Sequence, residues 1–265
     1  SLAGQVVGNG LIVDMSRHMN AILEINADER WVKAQPGIVL DELNLTLKSH
    51  GLFFSPETST ANRCCIGGMM GNNSCGTHSL VYGSVRDHLL EAKTVLSDGS
   101  VVLFKSLTPE EVTGKTRQDS LEGRIYKFIF DLFSKEEIRE EVSNSFPDAE
   151  LKRRNSGYAL DDLLHSDTFE PGQDRQFNFC KVLAGSEGTI GFATELKLSL
   201  DPLPPKCKRL ICAHCSDDDK VYEANLIALQ SNPVAIELID DKILHLSQGN
   251  IEQQKNRFFV KGEPA

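Results

Sequence analysis

No run of about eighteen apolar residues occurs in the chain, which excludes a helix long and greasy enough to cross a membrane. Ser1 to Gly10 are small and polar with no basic start, so no secretory signal is expected there. Basic residues are outnumbered, 28 Lys and Arg against 38 Asp and Glu. The resulting net charge of −10 argues against DNA or RNA as the main partner, because phosphate backbones need a basic face. A local basic pocket for an acidic metabolite stays compatible with that balance. The seven cysteines are an odd number in a chain too long for a disulfide scaffold, so free thiols in a reducing cytoplasm are expected. Familiar phosphate cradles are missing too. There is no Gly-Lys-Ser/Thr of a P-loop and no G-x-G-x-x-G that opens a helix after a strand. No C-x-x-C-x-x-C run offers iron–sulfur ligands, and no internal repeat or low-complexity segment is present.

What is there reads as an ordinary globular chain of 265 residues, 40% hydrophobic and 25% charged, long enough for one large core or two smaller ones. Leu11-Ile12-Val13 has strand character. Ala21 to Ile25 and Trp31 to Ala34 flank Asp28-Glu29-Arg30 as a hairpin. Apolar residues at 39, 40, 43 and 47 mark a helix face, with Gly51 as its stop. Leu52 to Arg63 is a long loop, and Ile66 to Gly76 a glycine-rich turn. Leu89 to Leu96 and Val101 to Phe104 form a hairpin around Ser97-Asp98-Gly99-Ser100. Helices are expected at 121–133, onward to Asn144, and at 160–164; Gly185 to Gly191 is a second glycine-rich turn into a strand, Phe192 to Leu200. Three prolines in Asp201-Pro202-Leu203-Pro204-Pro205 place a domain boundary there. Beyond it the pattern predicts strand 209–214, helix 219–230, strand 234–238, helix 241–247 and a last strand at Phe258-Phe259-Val260. The fold class is α+β. Both ends read as cut, so a fragment is expected.

Two glycine-rich segments far apart in sequence, Ile66-Gly67-Gly68 and Gly185 to Gly191, invite one question. Glycine admits positive φ and close approach of a ligand to the main chain, and successive N–H groups in such turns make concave anion sites. Either the two converge on one phosphorylated cofactor, or each is an ordinary tight turn; spacing alone leaves both open.

Pro56-Glu57-Thr58-Ser59, Ile66-Gly67-Gly68, Asn73-Ser74-Cys75-Gly76, Tyr82-Gly83, Asp98-Gly99 and Gly185-Ser186-Glu187-Gly188-Thr189-Ile190-Gly191 stand in this order. In that order they resemble the FAD-binding domain of the vanillyl-alcohol-oxidase type. Within it the chain is similar to the branch of D-lactate, glycolate and D-2-hydroxyglutarate dehydrogenases. Arg154-Asn155-Ser156-Gly157-Tyr158-Ala159-Leu160 and Ser1-Leu2-Ala3-Gly4-Gln5 resemble the large bacterial forms that add a C-terminal iron–sulfur domain. The resemblance implies FAD as cofactor, with iron–sulfur clusters on a later segment, and a flavin domain over 1–200 with the start of a substrate-side cap over 206–265. It implies FAD contacts from Ser1, Pro56, Glu57, Thr58, Ile66, Gly67, Gly68, Asn72, Asn73 and Ser74, and, on the other side, from Glu187, Gly188, Thr189, Ile190 and Gly191. A 2-hydroxy acid would pass its C2 hydrogen to the flavin and its electrons on to an acceptor other than oxygen. Lys152, Arg153 and Arg154 beside Tyr158 are the candidates for its carboxylate; a solvated basic turn is the plainer reading of any one of them. No catalytic base is assigned.

Other residues have bland readings. Cys212 and Cys215 have C-x-x-C spacing with Cys207 upstream, but no second pair comes after them. His78 and His88 flank Tyr82-Gly83 and read as structural histidines that could also approach the flavin. Asp87 orders its turn, Asp217-Asp218-Asp219 cap a helix, and Met69 and Met70 fill core. Two alternatives to a flavoenzyme stay open: a scaffold module that has lost the flavin, and a small zinc domain on Cys207, Cys212 and Cys215.

Overall fold

The computed structural model describes residues 12–148, 151, 154, 157–262 and 264. Ser1, Leu11, Lys152 and Arg153 lie outside the described residues. The chain divides into two compact units. The larger runs to Gly76 and resumes from Tyr82 to Leu203; the smaller comprises Thr77–Val81 and the chain from Pro204 on.

Strands β1 (Ile22–Asn26), β2 (Trp31–Ala34), β3 (Leu52–Phe53), β4 (Leu89–Val95), β5 (Val101–Phe104), β6 (Ser106–Leu107), β7 (Phe177–Asn178), β8 (Phe192–Ser199) and β9 (Asp201–Pro202) belong to the larger unit. The helices of the chain's first 200 residues are α1 (Leu40–Leu47), α2 (Ile66–Asn72), α3 (Ser79–Tyr82), α4 (Val85–His88), α5 (Pro109–Thr116), α6 (Leu121–Phe133), α7 (Glu136–Ser145), α8 (Leu160–Leu164) and α9 (Cys180–Leu183). Five strands make one antiparallel sheet in the order β1-β2-β8-β4-β5. Strand β8 comes from far along the chain yet sits in the middle, so the sheet closes only when the second glycine-rich segment has been brought to the first.

Alternation explains the two faces of this sheet. Val32, Ala34, Ala92, Val102, Phe104, Leu196 and Leu198 point inward and are buried. The other face carries cross-strand ion pairs, Lys93 with Glu195 at 2.7 Å and Lys197 with Glu91 at 3.1 Å, and Lys197 also lies 4.3 Å over the Trp31 ring. Inside, α6 buries Tyr126, Ile129 and Phe133, and Tyr126 meets Phe104, Phe177 and Phe179 in an aromatic cluster. Helix α1 buries Leu40, Leu43 and Leu47, and the chain turns at Gly51 with φ 71°.

Two expectations about regular structure need correction. Ile66 to Asn72 is a helix, not a turn. Three glycines in it cost roughly 1 kcal/mol each against alanine. Burial of Ile66, Met69 and Met70, at roughly 1.5–3 kcal/mol each, outweighs that cost. Gly67 also has a packing reason, because a β-carbon there would lie 2.6 Å from Pro36 Cβ. In the smaller unit the helices form, α10 (Asp218–Leu229), α11 (Asp241–Leu246) and α12 (Ile251–Gln254). The strands expected at 209–214, 234–238 and 258–260 do not form. Alternation marks a surface fit for a sheet, but a ladder needs a neighbour to pair with, and these segments have none among the described residues. Ile12 and Val13 likewise have no regular structure.

Candidate functional site

The two glycine-rich segments meet at the C-terminal end of α2. The Gly185 amide donates to Met70 O at 3.0 Å and the Glu187 amide to Gly71 O at 2.8 Å. Asn72 Nδ2 donates to Glu187 Oε1 at 2.9 Å, and Ser74 Oγ donates to Asn72 Oδ1 at 3.1 Å. A β-carbon on Gly71 would stand 4.0 Å from the Gly188 nitrogen. The fold thus brings the two segments into contact with each other. The local backbone is unusual: Asn73 and Glu187 take the left-handed region at φ 52° and 51°, and Gly185 and Gly188 at 92° and 79°. Side-chain-bearing residues held in that region cluster at functional sites.

Arg86 underlies this junction. It is 6% exposed, and among the described residues its guanidinium donates only to main-chain carbonyls: Lys181 O at 2.9 Å, Arg154 O at 3.2 Å, Gly157 O at 3.0 Å and Ala184 O at 2.8 Å. Its own amide donates to Asn73 Oδ1 at 2.8 Å, and Lys181 Nζ donates to Arg86 O at 2.9 Å. Burial pulls both cations below their ordinary pKa values, while Asp162 and Asp87 oppose that shift. Sequence reading passed over Arg86 because a lone arginine in a turn carries no pattern; its role depends on carbonyls far away along the chain.

The segment named for substrate binding is partly visible. Arg154 forms an ion pair with Asp161. Its Nε is buried without a hydrogen-bond partner. Tyr158 donates its hydroxyl to Thr189 Oγ1 at 2.6 Å, and Thr189 in turn donates to Ser186 O at 2.6 Å. The turn and the 154–158 segment are thereby joined twice, once through Tyr158 and once through Arg86.

Among the residues named for the cofactor, the structure separates packing from access. The Ile66 and Gly67 amides donate to Ile38 O and Pro36 O, at 3.0 and 2.8 Å. They are therefore not the open anion cradle that their sequence suggests. Gly191 is a packing glycine, since a β-carbon would come within 2.6 Å of Thr94 Cγ2. Gly68 and Gly188 are different: nothing lies within 4 Å of where their β-carbons would be. Pro56 is buried and Glu57 half-buried, and Gly76 packs so tightly on Glu57 that a β-carbon would meet Glu57 Cγ at 2.2 Å. Thr58 Oγ1 pairs with Thr60 Oγ1 at 3.1 Å and with Cys64 Sγ at 3.3 Å. Ile190 packs against the core.

One polar atom is left over at the junction. Asn73 is 1% exposed, and its Nδ2 has no hydrogen-bond partner. A buried amide nitrogen without an acceptor costs about 1–3 kcal/mol, and such a group calls for an explanation, an acceptor on a ligand being one. Open main chain, a stranded donor and buried positive charge fit a phosphorylated, anionic cofactor.

Several plainer expectations hold. Asp87 Oδ2 accepts from the Ser84 amide at 2.8 Å and orders its turn. His88 is structural: Nε2 lies 2.8 Å from Tyr82 O and Nδ1 3.1 Å from Ser199 Oγ. Asp217 caps α10 by accepting from the Lys220 amide. Met69 and Met70 are core. Apart from these expectations, Cys207, Cys212 and Cys215 are free, and no three His, Cys, Asp or Glu side chains among the described residues are grouped.

Residues 1–105 match the family described as FAD binding domain. D-2-hydroxyglutarate dehydrogenase of Pantoea ananatis is 35% identical over 98% of this chain and 24% of its own length. The enzyme of that name from Pseudomonas putida is 37% identical over 94% of this chain and 24% of its own. D-lactate dehydrogenase of Archaeoglobus fulgidus is 31% identical over 93% and 42%. The chain thus spans about a quarter of the length of the dehydrogenases named first.

Proposed function

We propose, from the match of residues 1–105 to the FAD binding domain family, that this chain is the flavin-holding part of a dehydrogenase for small D-2-hydroxy acids. Residues 1–200 form the flavin domain in this reading, and 206–265 begin the substrate-side cap. The observation that carries it is the junction of 70–74 with 185–189, where, among the described residues, Asn73 Nδ2 has no hydrogen-bond partner and nothing lies within 4 Å of a β-carbon on Gly188.

Asn72, Asn73, Ser74 and the main chain at Gly68 and Glu187 to Thr189 would hold FAD. Ser1 and Pro56 to Thr58 complete the set that the family resemblance implies. When bound, the flavin supplies an acceptor for the C2 hydrogen of a 2-hydroxy acid. The chain's own residues supply field and position. Arg86 and Lys181 sit in a low-dielectric interior, where a charge acts more strongly than in water, and they bias the site toward an anion. Tyr158 holds Thr189, and so the second turn, in place. Arg154 would take the substrate carboxylate by exchanging it for Asp161, with Lys152 and Arg153 as its neighbours in sequence.

The relatives' names support the substrate class: 2-hydroxyglutarate and lactate share a carboxylate beside a carbinol carbon. An electron acceptor other than oxygen, reached through iron–sulfur clusters of a longer protein, belongs to the same proposal. So does a cytoplasmic location, supported by seven free thiols. Among the described residues no helix is long and apolar enough to cross a membrane.

The test is titration of the chain with FAD, monitored by absorbance near 450 nm and quenching of flavin fluorescence. The expected result is a yellow, saturable complex. Gly188→Val should weaken it at least tenfold, since it adds a branched side chain to a left-handed backbone and fills the open approach. A colourless chain that ignores FAD, both alone and when extended at each end, would leave the scaffold reading in its place.

A further inference from the structure

We propose that Arg86 is the positioning residue of this site, a buried clamp that holds the two cofactor-lining segments and the 154–157 stretch in one register. The functional meaning of the inference rests on the flavin reading above; the geometry does not. A guanidinium has five N–H donors in a rigid planar fork. Here that fork reaches four carbonyls on two separate stretches of chain, Arg154 with Gly157, and Lys181 with Ala184. The residue's main chain adds a third stretch by donating to Asn73 Oδ1, and its carbonyl accepts from Lys181 Nζ. A residue that merely fills space would not be matched this way.

The spacing around it is tight enough to transmit position. A β-carbon on Gly185 would stand 2.7 Å from Arg86 Nη2 and 3.1 Å from Gly157 O. The guanidinium therefore touches the backbone of the second turn directly, while the Gly185 amide is held by the Met70 carbonyl. Asn73 is the residue whose Nδ2 lacks a partner, and Arg86 fixes its Oδ1. Arg86 thereby decides which way the stranded donor points. No carboxylate pairs with the guanidinium among the described residues; all its acceptors are dipoles that belong to the loops it organises. Because one group holds both the turn and the 154–157 stretch, movement of either is felt by the other.

The experiment compares the chain with its Arg86→Gln and Arg86→Lys variants by hydrogen–deuterium exchange, read in peptides covering 72–76, 157–160 and 183–190, with peptides of β4 and β8 as the internal reference. Arg86→Gln should speed exchange at least tenfold in the 157–160 and 183–190 peptides, and leave the sheet peptides and the 72–76 peptide, which is held by the main-chain amide of residue 86, within about twofold. Lysine keeps the charge but has no fork, so it should restore little of the protection at 157–160. Equal exchange in wild type and both variants would overturn the clamp; so would a uniform rise in loops and sheet alike, which is the signature of a merely structural residue. Arg86→Lys carries the comparison if the glutamine variant fails to fold. FAD titration of the same proteins separates the two proposals. A wild type that takes up no flavin removes the flavin reading and leaves the exchange pattern to decide the clamp. A wild type that binds, beside an Arg86→Gln chain weakened tenfold or more, supports both.

Discussion

Tyr126 carries a hydroxyl into a ring cluster that offers it nothing. The side chain is 1% exposed, its OH has no hydrogen-bond partner, and Phe104, Phe177 and Phe179 surround it. Asn73 Nδ2 is equally stranded, yet Asn73 lies beside Gly185 at the junction of two loop segments, not in a packed aromatic cluster. The contrast yields opposite expectations for one kind of defect. Tyr126→Phe removes a buried polar atom without opening a cavity, and should stabilise the chain by about 1 kcal/mol in urea denaturation. Alkaline pH adds a second readout. Burial pushes the Tyr126 phenol above its ordinary 10.0 and the Cys180 thiol above its ordinary 9.0. The folded chain therefore keeps two protons that the unfolded chain releases. Their contribution is whole below pH 9 and is lost above it, at a slope approaching about 1.4 kcal/mol per pH unit for each group. Urea melts between about pH 8 and 11 should show the decline, with a shallower slope above about pH 10 in Tyr126→Phe. Identical profiles for the two proteins would rule out a buried, protonated phenol as the source.

At the scale of elements, α5 shows a signal that sequence reading left unused. Thr108-Pro109-Glu110-Glu111 is a capping box: the Thr108 hydroxyl accepts from the Glu111 amide at 3.3 Å, and Glu111 Oε2 accepts from the Thr108 amide at 2.9 Å. Thr108→Ala should cost about 1 kcal/mol, measured by thermal or chemical unfolding; no change would mean that α5 is held by Val112 alone. The hairpins, α1, α6 and β8 were legible because each writes its own period or turn: Asp98-Gly99 between β4 and β5, or 40, 43 and 47 on α1. Helix α2 was not legible, since its glycines argue against a helix until Pro36 and Ile38 are seen beside it. The candidate site divides in the same way. Gly188, Asn72 and Ser74 came from a recognisable run of residues, whereas Arg86 and Lys181 act through distant carbonyls that no local pattern announces. Gly67 and Gly191 came from the same runs and turned out to be packed against Pro36 and Thr94. A glycine-rich run therefore marks where two segments meet without separating open main chain from packing.

At the scale of the whole molecule, stability is unevenly held. Every buried hydrophobic residue among those described lies between Trp31 and Leu200, and α10, α11 and α12 bury no residue at all. Leu210, Ile211 and Phe258 are 86%, 89% and 85% exposed. Apolar surface left in water adds nothing to the roughly 25 cal/mol per Å² that burial provides, so the 204–265 stretch opens at far lower cost than the sheet. Its entry is exposed and without regular structure at Lys206, Lys208 and Arg209, between the prolines and α10. Limited trypsin treatment should therefore cut first at these three residues and then digest the C-terminal stretch beyond them. A product ending at 206–209 should persist, with the aromatic cluster and the Arg86 junction intact. Mass spectrometry identifies the product, and a thermal melt judges it: one cooperative transition within about 3 °C of the intact chain, because the core that sets the transition is unchanged. If the product instead melts without cooperativity, or α10 resists the protease as well as β4 and β8 do, stability is shared across the boundary and the core between Trp31 and Leu200 does not stand alone.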